Sequence, residues 1–106
     1  MTHIMMRRDI RQRELEICVS GHAGYAKPGQ DIVCAAISGL VLAIHAWLLR
    51  HEELTRLANR QDGEAVFLFS LCPESCAVYE LFGCGAASIA AEYPQFVTLK
   101  VMDLQK

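Results

Sequence analysis

The sequence lacks most of the features that would place it at a glance. It has no excess of basic charge: ten lysines and arginines stand against twelve aspartates and glutamates, a net charge of −2. That removes the cationic footprint of a nucleic-acid binder, and no direct nucleic-acid partner is expected. It has no disulfide framework either. Cys18, Cys34, Cys72, Cys76 and Cys84 are odd in number and irregular in spacing, as expected of free thiols in a reducing compartment. Arg7 and Arg8 are followed by no apolar signal segment and no small-residue cleavage site, so the expected location is the cytoplasm. Cys72, Cys76 and Cys84 lack the paired spacing of zinc ligands, and no metal or cofactor is expected. Repeats, low-complexity tracts and linkers are missing too; residues 1–106 read as a single domain.

What the chain does have is apolar bulk. Hydrophobic residues make up 53% of it, and the mean hydropathy is +0.22. A domain of this length buries roughly two-thirds of its unfolded surface. The excess points to a surface that associates with a second copy.

The periodicities predict an α+β fold of four to five strands in one sheet with two helices, in the order ββα(β)βαβ. Residues 2–8 and 14–20 read as strands joined by a polar turn. In the second, Leu15, Ile17 and Val19 alternate with Glu14, Glu16, Cys18 and Ser20, the pattern of a half-buried strand. Residues 21–30 form a loop punctuated by Gly21, Gly24, Pro28 and Gly29. A long helix follows from about residue 31 to 51, with Asp31 as its N-cap. Residues 52–59 are ambiguous between helix extension and a short strand, and Gly63 breaks the run. Residues 65–71 are strand-like. Pro73 suits a first helical position, residues 74–93 read as the second helix, and residues 96–102 as the last strand.

The first helix carries no formal charge from Ile32 to Leu49. At 1.5 Å per residue its 18 residues would be about 27 Å long, near the lower limit of a membrane span. The amphipathic strands flanking it need a sheet to pair with, so the expected setting is a central helix buried on most sides and no membrane. Ala35, Gly39 and Ala43 form a small-residue row at spacing four, suited to close packing on a sheet or a second helix.

With Asp31 as N-cap, Cys34 falls in the first helical turn, where free amides and the helix dipole favour negative charge and hence a thiolate. The same amides are candidates to receive the oxyanion of a tetrahedral intermediate. His22 is the candidate base, because its loop starts at a strand end and folds back to the helix start. Gly21 and Gly24 let backbone approach closely and leave room for an extended peptide. Asp31 caps the helix or supports His22. Ser38, one turn after Cys34, lines the site or bonds to a backbone carbonyl. Tyr25 lines a peptide groove or anchors the loop. A binding module that keeps the motif as structure, and a thiol redox sensor using Cys34, are the rival readings.

Gly21-His22-Ala23-Gly24-Tyr25-Ala26 followed by Gly29-x-Asp31-Ile32-Val33-Cys34-Ala35-Ala36-x-Ser38 closely resembles the signature of the ribosomal-processing cysteine protease family, Prp. The resemblance implies His22 and Cys34 as a catalytic dyad, with Asp31 and Ser38 matching two further characteristic positions. It also implies a homodimeric endopeptidase that removes a short N-terminal extension from a large-subunit ribosomal protein, cutting after an aromatic residue. A phage-associated member that processes a virion protein is the alternative within the family. Pro28 and Gly39 depart from the commoner pattern. Pro28 stiffens the loop that must admit substrate; Gly39 costs roughly 1 kcal/mol of helix propensity and is expected to serve close packing.

Overall fold

The structure, a computed structural model, describes residues 1–105. Five strands and two helices follow in the order β1 (Thr2–Asp9), β2 (Glu14–Ser20), α1 (Ile32–Leu49), β3 (Thr55–Gln61), β4 (Glu64–Ser70), α2 (Pro73–Glu92) and β5 (Val97–Leu104). The sheet order is β3-β4-β2-β1-β5. All neighbouring pairs are antiparallel except β1 with β5. The segment that periodicity left ambiguous is β3. Its pattern is weak because it is an edge strand with little of its surface covered.

The topology puts both helices on one face. α1 connects the parallel strands β2 and β3, and α2 connects the parallel strands β4 and β5. The two crossovers run in opposite directions across the sheet and start from antiparallel strands. Sharing the preferred right-handed sense, they therefore lay their helices side by side. The covered face is apolar: Ile4 and Met6, then Leu15, Ile17 and Val19, then Ala65, Phe67 and Phe69 are all buried. Cys18 points to the other face, as its place in the alternation predicts, and burial pushes its thiol up to about 11. α2 starts on a cap in which Ser75 Oγ accepts from the Cys72 amide at 2.9 Å and donates to the Ser70 carbonyl at 2.6 Å.

The expectation that α1 is buried on most sides is wrong. Only Val33, Ile37, Val41, Ile44 and Leu48 are buried among its 18 residues. One stripe suffices to pack on a sheet, and α2 lies beside α1 rather than over it. Ala35, Gly39 and Ala43 face solvent, and a Cβ on Gly39 would meet nothing within 4 Å. The close helix contact comes instead from α2, where a Cβ on Gly85 would lie 2.8 Å from the Leu40 side chain.

Candidate active site

The carboxyl end of β2, the start of α1 and the β3–β4 turn meet at one end of the strands. Ser20, the last residue of β2, pairs with Glu64, the first of β4. The ladder continues one step further, with the Gly21 amide donating to the Gly63 carbonyl at 2.8 Å. Gly21 sits at φ +88, and a Cβ there would come within 2.4 Å of the Met1 carbonyl oxygen. Only glycine turns the chain out of the sheet at this point. Ala23 is buried beneath the loop, leaving the neighbouring His22 side chain 63% exposed.

The loop returns to α1 through a tight turn. Gln30 N donates to the Lys27 carbonyl at 2.9 Å, and Gly29 has φ +88. Proline then glycine at the two central positions is the composition of a type II turn. Pro28 thus stiffens this part of the loop. Tyr25 packs edge-on against Tyr93 and Phe96, with ring centroids 5.7 and 5.3 Å away. Of its two open readings, this geometry is that of a loop anchor. Gly24 has φ +71 and open space around it.

Asp31 caps α1 and ties down the loop at once. Its Oδ1 accepts from the Cys34 amide at 2.8 Å, and its Oδ2 from the amides of Tyr25 at 3.0 Å and Ala26 at 3.5 Å. The Cys34 amide foremost, then those of the loop, hold this carboxyl below the usual carboxylate range. Both oxygens are thus engaged by backbone. One expectation changes as a result: the Cys34 amide is committed to the cap and is not a free donor for an oxyanion. The Cys34 side chain is partly buried against the core below it.

A cleft of about 370 Å³ opens here, and His22, Cys34 and Ser38 line it together, with Gly21 behind them. Asp31, Gly24 and Tyr25 stand outside its lining. The volume lies at the lower end of the range for ligand sites, enough for one or two peptide side chains. Ile37, Val41 and Leu42 of α1, with Val19 and Ala65 of the sheet, make one wall apolar. The opposite wall was not anticipated from sequence: Arg60 and Gln61 of β3, Asp62 and Gly63 of the turn, and Glu64 of β4. Its signal was the Asp62-Gly63 pair between two potential strands, a common hairpin turn dipeptide.

A thiol at a helix start and an imidazole, opening onto one cleft of a small α+β domain, are the groups that a cysteine-type peptidase requires. Comparison with known proteins leads to the same class. Residues 1–98 match the family model for cysteine protease Prp, and the chain belongs to that family. A curated relative, the ribosomal processing cysteine protease Prp of Mycoplasma pneumoniae, is 31% identical over 90 residues, which are 80% of this chain and 85% of the relative. Among solved structures, a Streptococcus mutans protein has a TM-score of 0.72 at 26% identity, covering 97% of this chain and 95% of its own. The Staphylococcus aureus protease Prp, solved with a covalently linked product peptide, has a TM-score of 0.76 at 21% identity, covering 95% and 99%. At that identity the likeness speaks for the fold.

Proposed function

We propose that this peptidase removes a short N-terminal extension from a large-subunit ribosomal protein, cutting after an aromatic residue, with Cys34 as nucleophile and His22 as general base and acid. The observation that carries the reading is the shared cleft, which holds both side chains beside an apolar wall. Family membership and the ribosomal processing role in the relative's name support the substrate. The wall of Ile37, Val41 and Leu42 suits an aromatic side chain. Five free cysteines suit a reducing cytoplasm.

The steps follow from the chemistry of the two groups. The Cys34 sulfur attacks the scissile carbonyl carbon while His22 takes the thiol proton. The tetrahedral intermediate collapses with loss of the C–N bond, and His22 passes that proton to the leaving amine. A water molecule then gives up a proton to His22 and attacks the thioester. The C–S bond breaks, the N-terminal extension leaves with the new carboxyl group (the shortened protein having left as the amine), and His22 returns the proton to sulfur.

The test is a peptide spanning such an extension, followed by intact mass. A single cut after the aromatic residue is expected, at least about tenfold slower when that residue is alanine, since an unfilled apolar pocket forfeits a few kcal/mol. Equal rates on both peptides would overturn the aromatic preference, and no cut on either would overturn the substrate.

A homodimer through the outer face of α1 completes the proposal. Ile32, Ala35, Ala36, Gly39, Leu42, Ala43, Ala46 and Leu49 are all exposed and uncharged. A continuous apolar stripe of this kind is rare on a monomer, and its small residues let a second copy of the helix approach. Gly39→Arg, which meets no atom of its own chain, is expected to convert a dimer to monomer in sedimentation equilibrium at micromolar concentration. A variant that still sediments as a dimer would place the interface elsewhere.

A further inference from the structure

The β3–β4 turn forms the seat of the His22 imidazole. Backbone pairing brings the two together, because the Gly21 amide is bonded to the Gly63 carbonyl immediately before the histidine. Gly63 has φ +73, and a Cβ placed on it would lie 3.1 Å from Nε2 of His22 and 3.7 Å from both neighbouring ring carbons. The glycine therefore serves the turn and the imidazole at once. Next to it, Asp62 Oδ1 lies 3.9 Å from the same Nε2. The turn thus meets one nitrogen of the ring with a flat backbone surface and a carboxylate.

We infer that Asp62 and Gly63 are positioning residues for His22: Asp62 accepts from Nε2–H, which leaves Nδ1 as the nitrogen that exchanges a proton with Cys34. This rests on the reading of His22 as the base. Neutral imidazole has one donor and one acceptor nitrogen, so fixing a proton on one defines the task of the other. A separation of 3.9 Å is longer than a hydrogen bond, and catalytic contacts of this type tighten when substrate fills a site. Asp62 is 98% exposed, so water screens the pair and a large electrostatic effect is not expected. The other charged groups lining the cleft are Arg60 and Glu64. Arg60 Nε donates to His45 Nδ1 at 3.2 Å, and Glu64 accepts from Gln61 at 3.4 Å; Asp62 is the carboxylate that faces the His22 ring.

Steady-state kinetics on a cleavable peptide test this with four variants. Asp62→Asn is expected to lower kcat about two- to fivefold, the range of an exposed charge pair, with KM unchanged. Asp62→Glu should restore most of the rate. Gly63→Ala should lower kcat about tenfold or more, since a small misplacement of a catalytic group is costly; circular dichroism reports whether it is folded. Asp62→Asn with wild-type kcat, alongside an inactive His22→Ala, would overturn the inference and leave the base assignment standing. An active His22→Ala would remove the base assignment and this inference with it.

Discussion

Cys34→Ala is expected to abolish peptide cleavage, and His22→Ala to reduce it nearly as far, by on the order of a thousandfold or more in kcat for either change. The alanine thiol replacement leaves no atom able to form the acyl-enzyme. Without the imidazole, the thiol proton and the leaving amine must both be served by water. On the proposed dyad, in which the two side chains act in one step, the double variant should be no slower than Cys34→Ala alone. Fold is not the cause, since neither change empties the core: His22 is largely exposed and Cys34 only partly buried. Initial rates by intact mass, with thermal unfolding of each variant as the control, measure this. A cut that survives Cys34→Ala would sink the nucleophile assignment, and additive losses in the double variant would sink the concerted roles.

Phe67→Ala should produce the other large effect, a loss of about 3–5 kcal/mol of unfolding free energy in urea. Phe67 is fully buried on β4, between Ile17 of β2 and Ala58 of β3, and its ring centroid lies 5.5 Å from that of His45 on α1. Removing it opens a void between sheet and helix that neither can readily close. Against a total of about 5–15 kcal/mol for a domain of this kind, the loss is about a fifth or more. Leu57→Ala, on the exposed edge strand, is the matched comparison and should change stability by only about 0.5 kcal/mol. A Phe67→Ala loss no greater than that of Leu57→Ala would mean that the sheet–helix layer is not packed around this ring.

Much of the fold was legible because its signals are local. Alternation in β2 identified the buried Leu15, Ile17 and Val19, and the helix starts were set by Asp31 and Pro73, side chains that act within one turn. β3 was legible only as one of two alternatives, because an edge strand covered on little of its surface has no apolar alternation to show. The burial of α1 was misjudged for a different reason. Lack of charge tells that a surface avoids water, but not whether its partner is the same chain.

The candidate site divides along the same line. Sequence by itself determined the residues of one strand of the argument: a thiol in the first turn of a helix, an aspartate that caps it, and a histidine in a glycine loop, all within 13 positions of one another. Their spacing and chemistry are local, and the family spelling rests on them. Only the tertiary structure decided that His22 and Cys34 open onto one cleft, that the apolar wall comes from α1, and that Asp62 and Gly63 face the imidazole from 40 positions further along the chain. That last neighbour depends on β4 pairing with β2, which brings the β3–β4 turn to Gly21. Strand pairing of this kind is a contact between distant segments, fixed by burial of a shared face rather than by any short run of residues.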